Sequence, residues 1–304
     1  MLATLARTIR ARHYSIRTEH SYVDWCHRFL RFCSGKSMDE LGEKDVQRFL
    51  TYLAVDRSVA PSTQNLALNS VVFLFKEVLN RPLTDLNFPR AQRRTKLPVV
   101  LTRDEVERRL ECMDGTFALV AGLMYGTGMR LLEGLRLRVA DLDFGHQLVV
   151  VRNGKGDKDR VVPLPKRYEA RLQEQLKQVE ALHQQDLAAG AGTVHLPYAL
   201  VRKYPNAARE WIWQYVFPSS RLSQDPKSGQ IRRHHIHQSS LQRQIYKAAR
   251  AAAIPKRISS HVLRHSFATH LLGNYSDPFT PTLSQREREL RNHRTLAAFS
   301  VEMC

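Results

Sequence analysis

Two basic side chains near the C-terminal end of the chain have types and a spacing that suit the binding of a phosphate group. His261 and Arg264 are three residues apart in a run of helical periodicity, so they lie on one side of a predicted helix. A guanidinium offers a rigid fork of donors that fits phosphate oxygens, and a neighbouring imidazole can donate or relay a proton. Alone, this helix is also explained as a partly buried structural helix with ordinary surface charges.

Two further basic residues lie where the backbone would expose them to a ligand. Arg130 ends the run Tyr-Gly-Thr-Gly-Met-Arg, whose two glycines relax the backbone and present the arginine at a helix junction. No Gly-Lys-Ser/Thr follows, so the run is not a phosphate-cradling P-loop. Lys155 lies between Gly154 and Gly156 near the tip of a predicted hairpin, where its ammonium can reach a ligand. A solvated turn lysine is the alternative interpretation.

The charge balance indicates which ligands such residues would meet. The 304-residue chain has 47 lysines and arginines against 29 acidic residues, a net charge of +18, so it attracts polyanions, DNA or RNA first. It has no apolar run of membrane-spanning length and no clear signal peptide, so no membrane partner is expected. Four widely spaced cysteines argue against disulfides and a cysteine zinc site. We therefore expect a reducing, cytoplasmic setting.

Hydrophobic periodicity predicts the elements that must position these residues. The expected fold class is mostly α with a small antiparallel β-sheet, an α+β arrangement. Val-rich runs around Asn153-Gly154 predict a hairpin with strands at 147–152 and 160–164. The predicted helices are 20–32, 43–55, 62–79, 115–125, 166–192, 239–253 and 260–272, with a further helix start at Thr102. Aromatic residues of the first three helices are interpreted as core.

Changes of composition divide the chain into segments. The predicted segments are an N-terminal helical domain (1–84), a basic linker (85–100), a second domain (101–272) and a polar tail (273–304). The tail has no sustained apolar period and is expected to be disordered. Arg94 and Lys96 make the linker basic, so it either follows a DNA backbone or is a solvated loop.

Residues 193–240 form an unusual insert that is aromatic, basic and rich in prolines. Flat rings and guanidinium groups beside prolines suit the holding of unpaired bases. A tryptophan-stapled structural insertion is the alternative interpretation. Three histidines, His234, His235 and His237, raise the question of zinc, but no acidic or cysteine ligand has a helpful spacing, so no metal is expected.

Taken together, Arg130, Lys155 and His261-x-x-Arg264 resemble the tyrosine recombinase (phage integrase) family. The run that ends at Arg130 and the run His261-Val-Leu-Arg-His-Ser-Phe-Ala-Thr-His-Leu-Leu272 are similar to that family's two best-known motifs, and the similarity covers residues 9–272. The insert, with Lys203-Tyr-Pro and Arg-Glu-Trp-x-Trp213, resembles that of the integron integrases.

This resemblance implies a fold, partners and roles. It implies a SAM-like core-binding domain and a catalytic domain that clamp DNA, with strand exchange that needs no metal or nucleotide cofactor. Arg130 and Arg264 would bind the nonbridging oxygens of the scissile phosphate, Lys155 would be the general acid, and His261 would assist proton transfer. Partners would be folded single-stranded attC-like hairpins and double-stranded attI-like sites, bound by a homotetramer. Residues expected to contact DNA bases in the insert are Trp213, Pro226, His234 and His235.

The resemblance breaks after Leu272. The family continues with a Leu-Gly-His or similar box and a nucleophilic tyrosine, which by spacing fall near Glu287 and Leu296. Tyr275 is too close to Arg264 to replace that nucleophile. A frameshift or insertion past codon 272 is the hypothesis, and reading the other frames of the encoding DNA tests it.

Three functional interpretations follow from this break. The first, which we expect, is an enzyme by descent: a site-specific recombinase that binds DNA but is inactive for cleavage as written. The second is a nucleic-acid-binding module that acts on sites used by an intact relative. The third is a basic RNA-binding helical protein unrelated to strand exchange.

Overall fold

The computed structural model describes residues 1–83, 98–152, 158–196, 198–225 and 228–273 of the chain. The chain divides into two units, Met1–Lys96 and Leu97–Cys304. The fold class predicted from the sequence is confirmed, because the described residues are mostly helical with two small antiparallel sheets.

The first unit is a bundle of four helices. They are α1 (Leu2–Ala11), α2 (Ile16–Phe32), α3 (Glu43–Val55) and α4 (Pro61–Glu77). The side chain of Ser15 accepts the Thr18 N–H and so begins α2, while Pro61 occupies the first turn of α4, where its missing N–H costs nothing. Phe29 is buried edge-on between Phe49 and Phe75, which confirms that these aromatic residues are core.

The second unit contains seven helices and five strands within the described residues. The helices are α5 (Arg103–Glu111), α6 (Gly115–Thr127), α7 (Leu131–Leu135), α8 (Glu169–Ala188), α9 (Tyr198–Lys203), α10 (Gln238–Ala251) and α11 (Ser260–Gly273). The strands are β1 (Leu142–Asp143), β2 (Leu148–Val151), β3 (Arg160–Pro163), β4 (Pro218–Gln224) and β5 (Ile231–His235). Thr102 caps α5 as predicted, and its capping box with Glu105 satisfies two backbone N–H groups.

Helix α6 lies at the centre of this unit. Its residues from Ala118 to Thr127 are buried, as expected of a helix that is apolar all round. The apolar faces of α10 and α11 join its core cluster, through Leu241 and Ile245 on the former and Leu263 on the latter. This packing brings the C-terminal end of α6 next to α11, which determines where the basic residues meet.

The two sheets are short and separate. Strands β1, β2 and β3 form an antiparallel sheet in that order, in which Val151 pairs with Arg160. Strands β4 and β5 form a second antiparallel pair inside the insert. The hairpin prediction is confirmed. No strand was predicted within the insert, because polar strands such as β4 carry no apolar alternation. The helix predicted at 166–192 spans only Glu169–Ala188.

Candidate nucleic-acid site

The site begins with a glycine at the end of α6. Gly128 has φ +63°, the left-handed conformation that ends helices and that side chains other than glycine rarely adopt. A Cβ at this position would lie 2.6 Å from the Phe267 ring of α11. Both constraints favour glycine, and its absence of a side chain lets α11 approach the junction between α6 and α7.

Two of the predicted phosphate ligands meet at this junction. Arg264, on α11, donates a guanidinium hydrogen bond to the carbonyl oxygen of Gly128. Arg130 is two residues further along the chain, at the N-cap of α7. Burial, followed by the positive charges of Arg130 and Arg160, lowers the pKa of Arg264, so the three guanidinium groups share one electrostatic environment.

One carboxylate organises these cations. Glu133 accepts the Arg130 backbone N–H at 2.8 Å and its guanidinium at 2.7 Å. Arg160 donates to both carboxylate oxygens of Glu133, at 3.2 and 2.6 Å. Burial alone would raise the pKa of Glu133, but the hydrogen bonds from Arg160 and Arg130 outweigh it and lower that pKa to about 2. The carboxylate is therefore ionised at every physiological pH.

The charge of this cluster matches an anion. Three guanidinium groups around one carboxylate leave an excess of two positive charges. The Glu133 side chain is 6% exposed, whereas those of Arg130 and Arg160 are 34% and 32% exposed. The acid is thus buried beneath cations that still reach solvent, which is the arrangement that binds a phosphate rather than repelling it.

The other predicted phosphate-site residues lie apart from this cluster or outside the described residues. His261 lies on α11, one turn before Arg264, and is exposed. Lys155 lies outside the described residues, as do Arg94, Lys96 and Pro226. The described strands that flank Lys155 in sequence are anchored at the cluster, because the β3 residue Arg160 binds Glu133 directly.

The insert brings the other predicted DNA-binding residues together around one tyrosine. The ring of Tyr215 lies 5.5 Å from that of His234 and 5.4 Å from that of His235, and the two histidine rings are 4.0 Å apart. Trp213 packs partly buried against the small apolar cluster that contains Tyr215. His234 is exposed and His235 is buried, so the pair has one accessible face.

Comparison with known proteins identifies the family. The model for the phage integrase N-terminal SAM-like domain matches residues 1–85, and the phage integrase family model matches residues 99–279. The chain belongs to the phage integrase family of tyrosine recombinases. A relative named "Integrase/recombinase" from Escherichia coli is 46% identical over 275 residues, which cover 90% of this chain and 81% of the relative.

Solved structures of integrases share the fold of this phage integrase family member. A lambda integrase dimer bound to a COC' core site superposes with a TM-score of 0.61 at 15% identity, over 91% of this chain and 71% of that one. The XerH site-specific recombinase bound to palindromic difH substrate gives a TM-score of 0.59 at 19% identity, over 91% and 75%. These likenesses show the shared fold, and the matching family models make the chain a tyrosine recombinase by family.

Two members of the cluster, Glu133 and Arg160, were not predicted from the sequence, although the sequence carries a signal for Glu133. An acidic residue three positions after a helix N-cap is the capping-box position, so Glu133 is placed to bind the Arg130 backbone. Nothing local marks Arg160, because only the tertiary fold brings β3 to α7.

Neither a metal-binding group of side chains nor a membrane-spanning helix is found in the described part of this phage integrase. It contains no group of three or more histidine, cysteine or acidic side chains placed to hold a metal ion. Within the same ranges, no helix combines the length and the apolar character needed to span a bilayer.

Proposed function

We propose that this chain is a site-specific recombinase of the integron integrase type that binds its DNA but has lost strand cleavage. The observation that carries the proposal is the convergence of Arg130 and Arg264, from positions far apart in the sequence, on the junction between α6 and α7. Arg130 binds the buried carboxylate of Glu133 there, and Arg264 donates to the carbonyl oxygen of Gly128. Family membership supports DNA as the substrate class. The proposed subtype rests on the resemblance of the insert to that of the integron integrases.

The proposed chemistry assigns the cluster to one phosphodiester. Arg130 and Arg264 bind its nonbridging oxygens and stabilise the charge of a pentacoordinate transition state, because donors that are fixed in advance need no reorganisation. Lys155 serves as general acid toward the 5′-oxygen leaving group, and His261 assists that proton transfer. Glu133 orients Arg130 and Arg160 without touching the phosphate.

The insert is proposed to hold unpaired bases of a folded single strand. Trp213, His234 and His235 bring flat rings around Tyr215, and base–aromatic stacking contributes about 1–3 kcal/mol per base without reading sequence. Pro226 completes the set by resemblance. A hairpin with extruded bases is the preferred substrate of this proposal, and a plain duplex site is the second.

Loss of cleavage follows from the sequence beyond α11. The family match ends at residue 279, before Leu296, where the spacing of the family calls for a tyrosine. Without a hydroxyl to attack phosphorus, the cluster can bind and polarise the phosphodiester but cannot form a covalent intermediate. Tyr275 is too near Arg264 in sequence to reach an in-line position.

The remaining assignments complete the proposal. The domain limits stay as predicted from the sequence, at 1–84, 85–100, 101–272 and 273–304, with Arg94 and Lys96 of the linker following the DNA backbone. We retain a cytoplasmic setting. The family's tetramer on DNA is not carried over to this chain, because its altered tail replaces the segment that usually makes the contact between subunits.

An adduct-trapping experiment tests this function. A labelled hairpin with extruded bases and a nick beside each candidate cleavage site would be incubated with this chain and, in parallel, with the 46%-identical E. coli relative. We expect both proteins to shift the hairpin in a gel and only the relative to form a denaturant-resistant adduct. An adduct on this chain would refute the cleavage defect, and failure to bind the hairpin would refute the subtype.

A further inference from the structure

One attachment of the insert to the rest of its unit is a short stretch of backbone pairing. The Val139 N–H donates to the Gln214 carbonyl at 3.1 Å, and the Val216 N–H donates to the Leu137 carbonyl at 2.9 Å. These bonds flank an antiparallel bridge between Arg138 and Tyr215. The insert is thus attached like one extra rung of a sheet, with Arg138 at its centre.

The side chain of Arg138 extends this attachment to the start and the middle of the insert. Its guanidinium donates to the carbonyl oxygen of Trp213 and, at 2.7 Å, to that of His195. It also lies over the Tyr215 ring, 4.6 Å from the ring centroid, and makes a long contact of 3.5 Å with the hydroxyl. A guanidinium can make all these contacts at once because it is planar and has five donors, whereas a lysine ammonium cannot.

Through Tyr215, Arg138 is also linked to the histidine pair. The Tyr215 ring contacts both His234 and His235. The Nδ1–H of His235 donates to the Ile236 carbonyl at 2.7 Å, and its buried Nε2 has no hydrogen-bond partner among the described residues. Burial lowers the pKa of His235 to about 4, so at pH 7 this Nε2 is a neutral acceptor. His235 therefore forms the buried, uncharged side of the pair, and His234 presents its exposed ring.

A short rigid helix connects this assembly to the phosphate site. Arg130 is the N-cap of α7, Arg136 is its C-cap, and Arg138 follows two residues later. Five helical residues span about 8 Å of helix axis. The N-cap and Glu133 hold one end of α7 at the cluster, and the contacts of Arg138 hold the insert at the other end. The distance between phosphate site and base site is therefore fixed through covalent and hydrogen-bonded links.

We propose that Arg138 is a positioning residue that sets the spacing between the bound phosphate and the unpaired base that the insert accepts. It acts through Trp213 and Tyr215 and touches neither phosphate nor base. This inference rests on the proposed binding of hairpins with extruded bases. It adds that binding depends on where the extruded base lies along the strand. A hairpin whose extruded base is displaced by one nucleotide, about 3.4 Å, is therefore bound more weakly.

The test compares hairpins that differ only in the position of the extruded base. Equilibrium affinities would be measured for a bulged hairpin, for the same hairpin with the bulge moved by one nucleotide, and for the fully paired form. Wild type should prefer the best-placed bulge at least tenfold over the other two. Arg138→Met should lower that preference to threefold or less while its affinity for the paired form changes less than threefold.

Two controls separate positioning from charge and from stability. Arg250→Met removes an exposed positive charge from the last turn of α10 and should weaken binding of all three DNAs equally. Tyr215→Phe keeps the ring and should retain the preference, whereas Tyr215→Leu should lose it. Should Arg138→Met fail to fold, Arg138→Lys and Tyr215→Leu carry the same comparison.

Each outcome has one meaning. The positioning role would be overturned if Arg138→Met kept the full wild-type preference for the best-placed bulge. The same holds if Arg138→Lys and Tyr215→Leu both kept that preference. Equal weakening on all three DNAs would show a general role in charge or folding and would also overturn it. If wild type itself does not distinguish the three DNAs, the proposed base binding fails, and the inference fails with it.

Discussion

At the scale of single residues, Glu133 is the buried carboxylate that holds the arginines of the site in place. Its carboxylate accepts hydrogen bonds from the Arg130 backbone, the Arg130 side chain and Arg160. A buried acid with three such donors keeps two guanidinium groups in fixed orientations. It also offsets part of the mutual repulsion of the three clustered arginines.

The first prediction concerns the stability that this carboxylate supplies. With a pKa of about 2 in the folded chain against an ordinary 4.5, ionised Glu133 contributes about 3 kcal/mol, fully present above pH 4.5 and lost as the pH falls toward 2. Glu133→Gln should therefore lower the free energy of unfolding by about 2–3 kcal/mol at pH 7 and by progressively less below pH 4.5. Urea unfolding at pH 7, 4.5 and 3 measures this. Glu107→Gln, an exposed control, should change it by less than about 0.5 kcal/mol at each pH.

The second prediction concerns a buried arginine outside the site. Arg109 is fully buried in α5, and none of its three side-chain nitrogens has a hydrogen-bond partner among the described residues. Burial lowers its pKa to about 10, so it remains charged at pH 7. Arg109→Leu should raise the free energy of unfolding by about 1–4 kcal/mol, because an uncompensated buried charge is removed. The exposed neighbour Arg108, changed to Leu, should have an effect within about 0.5 kcal/mol. A loss of stability in Arg109→Leu would reveal a compensating partner.

At the scale of elements, the packing of α11 against α6 brings Arg264 to the junction that carries Arg130.

The third prediction tests this packing with two glycines that both have a positive φ. Gly128 has φ +63° and would direct a Cβ into Phe267, whereas Gly190 has φ +75° and nothing within 4 Å. Gly190→Ala should cost about 1 kcal/mol from backbone strain alone, and Gly128→Ala about 2–4 kcal/mol, because α11 must also move. Urea unfolding of both variants compares them. Equal costs would show that α11 does not pack tightly at this junction.

The same elements show how far sequence reasoning reaches. Helix α3 was predicted to the residue, since its apolar face and flanking turn signals are local. The junction at Arg130 was also predicted, because two glycines mark it. The pairing of Arg160 with Glu133 was not, because it depends on where β3 lies against α7. The sheet β4–β5 was missed because its strands are polar and exposed. Local patterns therefore identify the elements, and long-range packing determines which charges meet.

At the scale of the whole molecule, a net charge of +18 explains attraction to DNA but not its specificity. Any removal of a surface arginine weakens binding somewhat, so charge alone does not identify a site. In the proposed function, the clustered arginines differ from the surface arginines in that Glu133 orients Arg130 and Arg160 toward one phosphate. That orientation, rather than total charge, is what makes the proposed site specific.

The most direct measurement is the affinity of the bulged hairpin for wild type and for three variants that each lose one positive charge. Arg130→Met and Arg264→Met should each weaken binding about 10- to 100-fold, the value of a hydrogen bond to a charged group, and the double variant should weaken it by less than the product because both bind one phosphate. Arg250→Met should weaken it less than threefold. Equal affinities for the three single variants would contradict the assignment of the arginine cluster as a phosphate site.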